Sequence, residues 1–173
     1  KEIIKRIPHL LKDNLTDKVV MDLGANRGDF SLVFARKNAE IWAFEPNSDV
    51  YTYGHARFRN FKNIHFIQLG VSNQTNIVEM YSHVNSTYDP IGFSISASIK
   101  KSKVDLDLNH PQKILVIDFN QLIRSFEEIF LIKIDIEGAE IDLWETIKTN
   151  KNKIRYVLME IHDQINPTFR EDV

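Results

Sequence analysis

A chain of 173 residues is the size of one ordinary domain, and its 43% hydrophobic and 27% charged residues supply enough apolar material for a packed core, which excludes intrinsic disorder. Lys and Arg total 22 against 24 for Asp and Glu, so a net charge of -2 offers no overall field to attract nucleic acid or an anionic membrane. There is no cysteine, which removes disulfide scaffolds, thiolate zinc sites and cysteine nucleophiles, and apolar runs of about five residues fall far short of the roughly 18 needed to span a bilayer.

The expectation is therefore one domain over residues 1–173, soluble and cytoplasmic, with no nucleic-acid or membrane partner; oligomeric state is not readable. Ile3, Ile4, Ile7, Leu10 and Leu11 recur at helical spacing, which predicts an amphipathic helix over 2–13, within an N-terminal segment 1–14, with Pro8 as a kink or late start. Val19, Val20, Met21 and Leu23 form a short buried strand that ends in Gly24, and residues 29–38 place Phe30, Val33 and Phe34 on one helical face. The unit repeats: a strand over Ile41–Phe44, a turn with a helix N-cap at 45–48, and a helix over 49–59 patterned on Val50, Tyr53 and Phe58. Two successive strand-helix units imply a parallel sheet.

Ile64–Leu69 reads as a third strand, but Ile77–Tyr81 is strand-like where a helix would continue the alternation. Residues 83–112 lack periodicity and read as a long excursion, a lid or substrate loop. Alternation resumes with a strand over Ile114–Ile117, a short helix over Phe119–Phe126, a buried strand over Phe130–Ile136, a helix over Glu140–Lys148 and a strand over Tyr156–Ile161. The most economical fold is an α/β three-layer sandwich around a mostly parallel sheet.

In such folds ligands meet the carboxyl ends of strands, which is where Asp22-Leu23-Gly24-Ala25-Asn26-Arg27-Gly28 falls. A dinucleotide turn would need glycine at Asn26 and Asp29, and no lysine follows either glycine to neutralise a polyphosphate. What remains is an acid followed by G-x-x-x-G, with a second carboxylate, Glu45, closing the next strand. An ionised Glu offers two acceptor oxygens and suits the two hydroxyls of a ribose. Gly24 permits close backbone approach, N-H groups near Gly28 suit a carboxylate, and Asp22 either holds the loop or meets an ammonium group. Carboxylate, ammonium and ribose together describe S-adenosylmethionine. The competing interpretation is a tight turn that needs glycine for its geometry alone.

A second constellation surrounds the end of the apolar strand Phe130–Ile136. Asp135, Glu137 and Glu140 are acids where burial without partners costs several kcal/mol, so pairing or exposure in a cleft is expected. Glu140 serves equally well as a first-turn complement to a helix dipole. Glu160 and His162 close the following strand at period-two spacing, which points them to one side, so Asp135, Glu160 and His162 can converge. His162 is the general-base candidate because its ordinary pKa lies near neutrality; a hydrogen-bonded structural histidine is the alternative.

These residues resemble the FkbM family of S-adenosylmethionine-dependent methyltransferases, which have the class I Rossmann-like fold. The resemblance rests on VVMDLGANRGDFS, AFEPN, LGVSN, IKIDIEGAEIDLWE and LMEIH, spans about residues 15–163, and is most specific at I-K-I-D-I-E-G-A-E. It implies O-methylation of a hydroxyl on a sugar, glycan or polyketide-like small molecule. It puts Asp22, Gly24, Asn26 and Glu45 at the cofactor, with Ala25, Gly28, Pro46 and Asn47 beside them in the same turns and Gln68 and Gly70 in the loop after the third strand. It places Asp135, Glu137, Glu160 and His162 near the transferred methyl group.

Two departures stand out. The family's fold ordinarily continues with a helix and antiparallel strands where only about ten residues follow His162, so the C-terminal strands are expected to be missing. The loop Gln68-Leu69-Gly70-Val71-Ser72 lacks the acid common beside adenine, leaving Gln68 or backbone groups for that contact. No metal is expected; the variant with one has Asp135, Glu160 and His162 hold a divalent cation that acidifies the acceptor hydroxyl. The rival functions are a noncatalytic module that binds a partner through 83–112 and, disfavoured by the missing glycines, a nicotinamide-dependent oxidoreductase.

Overall fold

The computed structural model describes residues 7–86, 88–92, 105–136 and 140–160. Eight strands occur among them: β1 (Val19–Leu23), β2 (Glu40–Phe44), β3 (Ile64–Ile67), β4 (Gly70–Ser72), β5 (Asn76–Met80), β6 (Gln112–Asp118), β7 (Ile129–Ile134) and β8 (Ile154–Met159). The helices are α1 (Asp29–Ala35), α2 (Ser48–Phe58), α3 (Phe119–Arg124) and α4 (Glu140–Thr149). The main sheet runs β3-β2-β1-β7-β8, and every pairing in it is parallel. Chain order reverses beside β1, which sets a switch point between β1 and β7, where open α/β sheets bind ligands.

Alternation along the strands divides the core into two layers. Val20, Ile41, Ala43 and Leu131 face one side and pack with Phe30 and Phe34 of α1 and Phe58 of α2. Met21, Leu23, Phe44, Ile132 and Ile134 face the other, against Phe119, Leu122 and Ile123 of α3 and Leu143 and Ile147 of α4. Helices thus cover both faces, the condition under which parallel strands are apolar on both sides. The departure after β3 is a small second sheet of order β4-β6-β5, with β4 parallel and β5 antiparallel to β6. Beyond β5 and before β6 the described ends of the excursion run together: His83 bridges Leu106, and the Val84 and Asp107 N-H groups donate to Asp105 and Ser82 carbonyls. The long loop therefore rises from a hairpin-like base.

Several expectations need correction. In place of a helix over 2–13, the described part holds one 3-10 turn, Pro8–Leu11, with Pro8 at its start; residues 1–6 lie outside the described residues. Tyr53 does not share the buried stripe of α2: Val50, Gly54 and Phe58, four apart, take the inner face and leave Tyr53 45% exposed. Gly54 holds that inner position because the Phe66 ring stands 2.4 Å from where a Cβ would sit. β3 ends at Ile67, two residues short of the expected Leu69.

Candidate functional site

The carboxyl ends of β1 and β2 are stitched together through backbone groups. Gly24 and Ala25 N-H groups both donate to the Phe44 carbonyl, at 3.0 and 2.9 Å. Glu45 then bridges the two turns: one oxygen accepts from Asn26 N-H at 2.9 Å and the other from Asn47 N-H at 2.8 Å. Each oxygen retains a further lone-pair direction, so the carboxylate is anchored without being saturated. Glu45 is buried, and that burial pushes its pKa up to about 7 against the lowering effect of the Asn47 and Asn26 N-H groups and of Lys133. Gly24 and Glu45 thus lie side by side at the carboxyl ends of β1 and β2.

The glycines in this turn answer to packing. Gly24 has φ +73, and a Cβ there would stand 1.9 Å from the Asp135 carbonyl oxygen; Gly28, also at φ +73, lies against the Phe58 ring. Both positions therefore require glycine for conformation and for close approach, the tight-turn requirement weighed above. Asn26 adopts φ 50, a left-handed conformation asparagine tolerates better than most residues, and its side-chain oxygen accepts from Arg27 N-H. From the α2 side Arg57 donates to the Arg27 carbonyl and to Asp29, each at 2.7 Å. The turn is braced on three sides.

Asp22 is completely buried in β1, where one oxygen accepts from Ser31 Oγ at 2.7 Å and the other lies 3.2 Å from Lys133 Nζ. The ammonium beside Asp22 is the protein's own, Lys133, and its other partner is the Ser31 hydroxyl of α1. The register explains the meeting, since Asp22 and Lys133 are direct partners across β1 and β7. Lys133 was not singled out from sequence, although a lysine inside Ile-Phe-Leu-Ile-Lys-Ile is itself a signal that a buried counter-charge must lie nearby. Burial acts to lower its pKa, but the Asp22 and Asp135 carboxylates outweigh this and leave it above the ordinary lysine value.

Asn47 caps α2, its side-chain oxygen accepting from Asp49 and Val50 N-H groups. Gly70 is buried in β4, where a Cβ would come 2.8 Å from Val116, so strand packing accounts for it; Gln68 is exposed beside it. A cleft of about 400 Å³ opens between the start of α2, at Asn47 and Asp49, and the base of the excursion, at Ser82, Ser86, Asp107 and His110. The excursion thus borders the turn that carries Glu45. Within it His110 and Asp107 pair at 2.8 Å, a contact that holds the Asp107 carboxyl below its ordinary range.

At the other end of the sheet, Asp135 follows β7 with its N-H on the Leu23 carbonyl and its carboxylate 3.2 Å from Lys133 Nζ. Glu160 follows β8, exposed, its N-H on the Ile134 carbonyl, and the β7–β8 register continued by one residue sets it opposite Asp135. Glu137 and His162 lie outside the described residues, as does the metal-binding trio as a set; among the described residues no three metal-capable side chains gather. Glu140 is buried in the first turn of α4. No helix among the described residues is long and apolar enough to cross a membrane.

Comparison with known proteins adds an independent line. The family model described as a methyltransferase FkbM domain matches residues 22–172. The chain is similar to the hexuronic acid methyltransferase AglP of Haloferax volcanii, at 22% identity over 160 residues, 91% of this chain and 62% of that protein. It is also similar to the 2-O-methyltransferase NoeI of Sinorhizobium fredii, at 23% identity over 163 residues, 86% of this chain and 65% of that protein. The chain spans just under two thirds of the length of each of these relatives.

Proposed function

This chain belongs to the FkbM methyltransferase family, and from that premise we propose that it is an S-adenosylmethionine-dependent O-methyltransferase acting on a hydroxyl of a sugar or glycan. The observation that carries the reading is Glu45: a buried carboxylate at the end of β2, fixed by one N-H from each of two crossover turns, with acceptor capacity left on both oxygens. That pair of acceptors fits the two hydroxyls of a ribose. The names of the relatives, one a hexuronic acid methyltransferase and one a 2-O-methyltransferase, support a sugar hydroxyl as the acceptor.

On this reading Glu45 holds the ribose, the turn Gly24–Gly28 passes beneath the amino-acid portion, and Asn47 and Gln68 border the adenine. S-adenosylmethionine bound there supplies a sulfonium methyl group to the acceptor oxygen. The protein aligns the hydroxyl and takes its proton at the rim of β7 and β8. Asp135 and Glu160 are the described carboxylates there, and the family resemblance adds Glu137 and His162 as candidates. Alignment is worth several kcal/mol, and a placed base adds about 10²- to 10⁴-fold.

Calorimetric titration with S-adenosylhomocysteine, with NADH in parallel, tests the cofactor. Saturable binding of S-adenosylhomocysteine alone is expected, and binding of NADH alone would replace the reading with an oxidoreductase. Transfer of a radiolabelled methyl group to a panel of neutral sugars and uronic acids then tests the acceptor. Cofactor binding with no transfer to any hydroxylated compound would point to a noncatalytic module.

A further inference from the structure

We propose that Lys133 is a positioning residue that locks the donor turn after β1 to Asp135 at the acceptor-side rim, so that one side chain sets the two halves of the site relative to each other. The inference rests on the methyltransferase reading for the naming of those halves. Lys133 lies in a strand whose every residue is buried and is itself 5% exposed. Its Nζ donates to the Gly24 carbonyl at 2.8 Å and stands 3.2 Å from both Asp22 Oδ1 and Asp135 Oδ2. Its hydrogen bond goes to the backbone of the turn, and carboxylate oxygens from the core of β1 and the rim of β7 stand at ion-pair distance on either side.

Stability does not account for this arrangement. Burying a charge costs several kcal/mol even when it is paired, and apolar residues of similar volume at such positions are often no less stable. What a lysine does and an apolar side chain does not is fix a carbonyl on one loop against a carboxylate on another. The backbone converges on the same pair: the Asp135 carbonyl occupies the space a Gly24 Cβ would fill, and Asp135 N-H donates to Leu23. Asp135 stands against the lysine with 29% of its side chain exposed.

The test compares Lys133→Met with the pair Asp22→Asn/Lys133→Met, which removes the Asp22 charge together with its cation. In the paired variant, amide hydrogen exchange at Gly24 and Ala25 is expected to speed up at least about tenfold while the β2 and β3 amides stay as they were. Affinity for S-adenosylhomocysteine should fall about fivefold or more, the cost of a carbonyl left without its charged donor. Turnover should fall further, and adding Asp135→Asn should lower it little more, since partners in one network are not additive. Wild-type exchange and affinity in the paired variant, or an undiminished effect of Asp135→Asn, would overturn the proposal. Should the paired variant fail to fold, Lys133→Arg keeps the charge but not the single nitrogen, and wild-type exchange there would be equally fatal. A wild-type protein that binds no S-adenosylhomocysteine would remove the methyltransferase reading while the exchange experiment still decides the lysine's role.

Discussion

The two ends of the ligand-facing row are held by different means. At β1 and β2 the turns are joined by backbone donors to the Phe44 carbonyl and to one buried carboxylate, Glu45. At β7 and β8 the acids are placed by side chain and strand register, with Asp135 half-buried on Lys133 and Glu160 exposed. In the first region main-chain N-H groups converge on a carbonyl and a buried carboxylate, whereas in the second a buried ammonium, Lys133, stands against the acid. On the proposed function the first region meets the methyl donor and the second meets the acceptor.

The largest expected effect breaks the join between the regions. Gly24→Ala forces a left-handed residue with a side chain and drives its Cβ into the Asp135 carbonyl, at 1.9 Å. The conformational cost of about 1–2 kcal/mol and the overlap of about 1–3 kcal/mol together predict a loss of roughly 2–5 kcal/mol in urea unfolding. A variant with wild-type stability would mean the turn and the β7 end are not in contact.

A pH series sharpens the contrast on the donor side. The Glu45 pKa is raised from 4.5 to about 7 by burial, so between those values the folded protein holds a proton that the unfolded chain has released. Stability is therefore expected to fall as pH rises through that window, by up to about 3 kcal/mol, and to level off above it. Affinity for S-adenosylhomocysteine should move the opposite way, because a ribose needs the ionised acceptor. Glu45→Ala should flatten the stability profile and weaken binding at least about tenfold at pH 8. Parallel rather than opposed trends would separate Glu45 from the ligand.

The same contrast explains what was legible in the sequence. Strand periodicity and the turns at Gly24 and Glu45 are local features, and the parallel five-stranded arrangement and the meeting of those turns follow from them. Lys133 was passed over because its meaning is nonlocal: Asp22 lies 111 positions away along the chain and becomes its partner only through the β1–β7 register. Gly24 reads in sequence either as room for a ligand or as a tight turn, and only the fold reveals that Asp135 is the neighbour that excludes a side chain. Tyr53 misled in the simpler way, since an apolar ring at helical spacing does not reveal that Gly54 beside it takes the inner position.

The smallest expected effect concerns Asn47, which belongs to both local structure and site. Its side chain caps α2 and its N-H holds Glu45, while its position borders the cleft beneath the excursion. Asn47→Ala removes the cap and should cost about 1 kcal/mol in thermal or denaturant unfolding. Asn47→Asp keeps an acceptor for the same N-H groups and should restore that stability, yet it places a second carboxylate two residues from Glu45. That charge weakens binding by itself, so Asn47→Ala decides the point. If Asn47 only caps the helix, Asn47→Ala should bind S-adenosylhomocysteine like the wild type; if its amide also meets the nucleoside, Asn47→Ala should weaken binding under conditions where it is fully folded, which places the edge of the donor region at α2.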